Sequence, residues 1–65
     1  MKKNFYYAVS VKYNEGYFDN PNAPLDVILG FASTQEKTKK SIQSLINNAV
    51  VLDIQEITFA DFLEI

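Results

Sequence analysis

Between Phe5 and Tyr13 the chain reads FYYAVSVKY, with Phe5, Tyr7, Val9, Val11 and Tyr13 on one side and Tyr6, Ala8, Ser10 and Lys12 on the other. Alternation of this kind marks a half-buried strand. Asn14-Glu15-Gly16 supplies a turn with a glycine available for positive φ, so Tyr17-Phe18 is expected to return as a short second strand of a hairpin. Pro21 and Pro24 then interrupt the ladder, because proline has no N–H to donate and holds the residue before it extended. Pairing is expected to resume at Leu25, where LDVILGFAS places Leu25, Val27, Leu29 and Phe31 on one face. Gly30 in that run predicts a bulge or a close approach.

Ser33-Thr34-Gln35-Glu36 has the form of a capping box and predicts a helix from there to about Asn48. Its apolar stripe is Ile42, Leu45, Ile46 and Ala49, while the opening TQEKTKK is polar all round, so only the second half should pack on the sheet. A last strand is expected from Val50 or Val51 to Ile57. The final TFADFLEI is ambiguous: Thr58 with Asp61 resembles a cap and Phe59, Phe62 and Leu63 lie at helical spacing, which favours a short terminal helix or an extended tail packed on a neighbour, while the same residues also suit a continued strand. The elements add up to an α+β domain, a small antiparallel sheet of three to four strands in the order β-β-β-α-β with one helix packed on one face.

Composition narrows what such a domain does. A chain of 65 residues is a single domain with a marginal core, and it has no cysteine or histidine for the disulfide or zinc site that small domains often use. Oligomerisation is the device left, and a hydrophobic content of 48% points to a homodimer. The absence of histidine and cysteine also removes the residues most used for chemistry near neutral pH, so no enzyme and no catalytic residue is expected. No pair of acids is spaced to face across a pocket. Glu15, Asp19 and Asp26 do not fit a calcium loop, so neither metal nor cofactor is expected.

The net charge is -2, arginine is absent, and the lysines gather at Lys2 and Lys3 and at Lys37, Lys39 and Lys40, with Lys12 alone. That balance argues against nucleic-acid binding and for a protein partner with a basic surface. The lysines of the helix suit a solvated face. No apolar run is long enough for a membrane span, and the stretch after Met1-Lys2-Lys3 lacks the form of a signal peptide, so a cytoplasmic protein is expected. Frequent Lys, Asn, Ile, Phe and Tyr without arginine suggest an AT-rich genome, as in a low-GC bacterium or its phage.

The order YYAVSVKYNEGYFDNP followed by GFASTQEKTKKSIQSLI resembles the start of HicB-like antitoxin domains over about the first two thirds of the chain. The matching positions are Tyr6 to Val9, Glu15 to Tyr17, Pro21 or Pro24, Gly30, Thr34 and Glu36. The loop departs from the family's acidic-Leu-Pro-Gly form, reading DNPNAP, and no DNA-binding domain is expected in the C-terminal segment after the match. The resemblance implies a non-enzymatic partner that binds and masks a small toxin, often as an oligomer.

The expected function is that of a small acidic interaction protein, homodimeric, that inhibits or neutralises another protein in the manner of an antitoxin or a phage anti-defence factor. The candidate partner-binding residues are Tyr6, Tyr17, Asp19, Asn20, Asn22, Asp26 and Phe62. Two other readings compete with it: a ligand- or nucleotide-binding sensor using the aromatic sheet face, and a structural subunit of a larger assembly. Core and dimer packing accounts for the aromatics better than a stacking platform, since such platforms carry basic residues beside the rings and Lys12 is the only one near.

Overall fold

The computed structural model describes residues 3–65; Lys2 lies outside them. The chain forms β1 (Phe5–Tyr13), β2 (Asp26–Ser33), α1 (Lys39–Gln43), β3 (Ala49–Ile57) and α2 (Phe59–Leu63). The strands make one antiparallel sheet in the order β2-β1-β3, so the fold is α+β with β1 in the centre. The register pairs Val9 with Leu29 on one side and with Ile54 on the other. Because β2 and β3 flank β1, the connection from Ser33 to Ala49 must cross the whole sheet.

Alternation places the core as expected. Tyr7, Val9 and Val11 of β1 are buried together with Ile42, Ala49 and Val51, and Phe5, Tyr13, Val27, Leu29, Phe31, Ile46 and Ile54 pack around them half-buried. Val51 and Ile54 are three apart, which in a regular strand would send them to opposite faces. A bulge resolves this: Asp53 pairs with Ser10 and Val51 with Val11, leaving Leu52 over, so both Val51 and Ile54 turn to the core.

Two expectations are corrected. Tyr17-Phe18 does not form a strand; residues 14–25 are turns and bends, so the element order is β-β-α-β-α. The expected helix from Ser33 to Asn48 is reduced to α1, whose N-cap is Thr38 rather than Ser33. Ser33 is held in the sheet opposite Phe5, and its hydroxyl accepts from the Gln35 N–H instead. Residues 34–37 are then used to cross from the β2 edge over the core face, a span of about 10 Å for two strand spacings, and the Lys37 N–H donates to the Tyr7 hydroxyl (2.9 Å) on the way. Thr38 accepts from the Ser41 N–H and Ser41 Oγ accepts from the Thr38 N–H, a reciprocal cap that starts α1, which packs against β3. Of the expected stripe, Ile42 is buried, Ile46 half-buried and Ala49 buried as part of β3, whereas Leu45 is 61% exposed.

The end of α1 is tied to β3 by Gln43. Its Nε2 donates to the carbonyls of Ile46 (3.2 Å) and Ala49 (3.0 Å), and its Oε1 accepts from the Val51 N–H (2.7 Å). The Ala49 and Val51 groups used are those pointing away from β1, so a side-chain amide occupies the outer edge of β3 where a further strand would bond.

The short terminal helix is the form taken by the last residues. Thr58 caps α2 by accepting from the Asp61 N–H (3.1 Å). α2 folds back on the face opposite α1, where Phe59 and Phe62 lie 5.2 and 5.1 Å from the Tyr6 ring. Gly30 makes room for this contact: a Cβ there would come 3.0 Å from Phe62. Gly30→Val should therefore push Phe62 off the sheet, even though valine suits a strand better than glycine. The expected result is loss of Tyr6–Phe62 nuclear Overhauser contacts and faster amide exchange in α2, with the β1–β2 register kept; intact Tyr6–Phe62 contacts in the variant would refute the close approach.

Candidate functional site

The loop between β1 and β2 is built by its own hydrogen bonds. The Tyr13 N–H donates to the Leu25 carbonyl (2.8 Å) and the Asn14 N–H to the Asn48 carbonyl (2.9 Å), which fastens the loop base to both neighbouring strands. The Tyr17 N–H returns to the Asn14 carbonyl (3.0 Å), and Gly16 takes a φ of 86° in that turn. At the tip, Asn20 Oδ1 accepts from the Asn22 N–H (2.9 Å) and the Asn20 carbonyl from the Ala23 N–H (3.1 Å), with Pro21 in the position where its fixed φ suits a turn.

Three aromatic rings brace this end. Tyr13 and Tyr17 stack at 4.6 Å, and Phe18 sits edge-on to both at 5.2 and 4.9 Å. Tyr17 keeps 47% of its surface exposed. The loop encloses a cleft of about 350 Å³ lined by Glu15, Gly16, Phe18 to Pro21, Ala23 and Leu25. Two carboxylates, Glu15 and Asp19, border it, and no lysine does. A cleft of this size bordered by two acids suits a guanidinium or ammonium side chain, which gains charge-assisted hydrogen bonds there.

The seven candidate residues separate into two groups. Tyr17, Asp19, Asn20 and Asn22 belong to the loop, and Asp26 lies just beyond it at the start of β2, opposite Lys12. Tyr6 and Phe62 meet at the other end of the sheet, on the face covered by α2. Tyr6 and Tyr13 are seven residues apart in β1, about 23 Å at the rise of a strand. One compact partner side chain therefore does not engage both groups. The Asn20 side chain is engaged in the loop's own turn, to which Asn22 contributes its backbone N–H. Glu15 and Phe18 line the cleft without having been singled out as partner contacts, though Glu15 precedes a glycine in a turn and Phe18 adjoins the loop's acid.

Tyr7, the ring most central to the aromatic face of β1, is a core residue whose hydroxyl is engaged by the Lys37 N–H. Among the described residues no group of histidine, cysteine, aspartate and glutamate is placed to hold a metal ion, and no helix is long and apolar enough to cross a membrane. No family model, curated protein or solved structure matches the chain.

Proposed function

We propose that this is a non-enzymatic interaction protein that binds a basic protein through the β1–β2 loop and so blocks that protein's action, as an antitoxin or a phage anti-defence factor does. The observation that carries the reading is the braced cleft, bordered by Glu15 and Asp19, lined by Phe18 and free of lysine. The loop is ordered by its own turns, so little conformational freedom remains to be lost on binding. Net charge has the sign needed to steer a basic partner toward it. The same carboxylates repel phosphate, which sets this reading ahead of a nucleotide sensor at the exposed ring.

The test is capture from the source cell with wild-type chain and with Glu15→Lys/Asp19→Lys as bait. The wild type should retain one basic protein in stoichiometric amount. The double variant, whose changes fall on exposed loop positions, should melt like the wild type and bind that protein at least about tenfold more weakly. Equal retention by both baits would refute the loop as the binding site, and the absence of any stoichiometric partner would refute the function.

A further inference from the structure

The two outer edges of the sheet are unequal. β3 is guarded in three ways that each discourage another strand. The Gln43 amide occupies the outward Ala49 carbonyl and Val51 N–H, a bulge at Leu52 breaks the regular spacing, and Asp53 and Glu56 place charges along the strand. β2 has none of these. Asp26–Ser33 reads DVILGFAS, regular in register along its whole length and uncharged after its first residue, and among the described residues no strand pairs with its outer side. Alternate residues there direct N–H and C=O groups outward, as on any edge strand.

We infer that β2 pairs antiparallel with β2 of a second copy about a two-fold axis at Leu29, joining two three-stranded sheets into one of six strands. An antiparallel edge is complementary to itself under two-fold rotation, so one chain supplies both halves of the interface. The side chains select the register. With Leu29 opposite Leu29, Val27 falls opposite Phe31 on the core face, which joins the half-buried residues of the two cores. On the other face Ile28, 59% exposed in the protomer, falls opposite Gly30 of the second copy. Gly30 is where Phe62 and Ile65 come down on the sheet, so Ile28 meets an apolar surface instead of water. Asp26 falls opposite Ala32, which keeps the two Asp26 carboxylates at opposite ends of the interface.

This inference gives a geometry to the homodimer expected from composition and depends neither on the loop nor on the function proposed above. It is tested by sedimentation equilibrium over a range of concentration. The wild-type chain should reach twice the 7.4 kDa protomer mass. Ile28→Lys, at an exposed position, should keep the circular dichroism of the wild type and sediment as a protomer at the same concentrations. Val50→Lys, at an exposed position of β3, should remain dimeric. Amide exchange on the unaltered chain gives a readout free of folding effects: outward amides between Val27 and Phe31 should gain protection as concentration rises, and β3 amides should not. A protomer at every concentration, a dimer that survives Ile28→Lys, a dimer lost in Val50→Lys, or protection gained at β3 would each overturn the inference. A monomeric chain that still captures a basic protein through Glu15 and Asp19 overturns this inference alone, and a dimer that captures none overturns only the proposed function.

Discussion

Ile42→Asp abolishes the cooperative melt of this domain, and Leu45→Asp leaves it in place; that is the expected result for two apolar residues of one predicted stripe, three positions apart. Ile42 has 0% of its surface exposed and packs among Tyr7, Val9, Val11, Ala49 and Val51. A carboxylate there has no partner and no water, and breaking a core in this way costs about 3–5 kcal/mol or more. A domain of 65 residues has only about 3–10 kcal/mol in total. The cost therefore consumes most of the stability or all of it. Leu45 follows the last turn of α1 and faces solvent, so a charge there is hydrated. Thermal melts of both variants by far-ultraviolet circular dichroism check the pair. Loss of the transition in both, or in Leu45→Asp alone, would refute the placement of α1.

Gln43→Leu should be the next most damaging change among the half-buried positions. Leucine fills nearly the same space but releases the Ile46 and Ala49 carbonyls and the Val51 N–H. Leaving a partly buried donor or acceptor without a partner costs about 1–3 kcal/mol. In so small a domain each kcal/mol lowers Tm by about 4–8 °C, so a drop of about 10 °C is expected. Gln43→Glu separates the two halves of the clamp, because a carboxylate can accept from Val51 but cannot donate to Ala49 or Ile46. Amide exchange at Val51 should thus be fast in Gln43→Leu and slow in Gln43→Glu, while both melt below wild type. Slow exchange at Val51 in the leucine variant would show that the side chain does not hold the edge.

The strands were legible because burial on one face writes itself into the sequence with period two, and β1 shows that pattern from Tyr6 to Tyr13. β2 was legible for the same reason, with Gly30 correctly marking a close approach. The start of α1 was not, because two segments satisfy a local capping pattern, Ser33 with Glu36 and Thr38 with Ser41. The choice between them is made by the sheet: β2 needs Ser33 opposite Phe5, and the chain must then travel to the far side of β1 before a helix can sit on the core. Leu45 fell into the predicted stripe only because the helix was drawn too long. Tyr17 and Phe18 looked like a strand by composition, yet their rings are used to brace the loop against Tyr13. Gln43 left no periodic trace at all, since its value lies in the reach of one amide to backbone groups of another element. Of the candidate site, the loop was visible from its prolines and asparagines, whereas the division between loop and α2 ends depends on strand length and chain reversal.

The central position of β1 also sets an order of events. Its pairing with β2 closes only the short loop from Asn14 to Leu25, but its pairing with β3 brings Val9 against Ile54. The longer closure costs more chain entropy and comes with contacts of high sequence separation, which slow folding. The first hairpin is therefore expected to assemble early and to wait for β3. Until β3 arrives, both sides of the unfinished sheet offer bare backbone, and the interval in which the domain is most exposed to wrong partners is set by how fast the crossover through α1 finds its place.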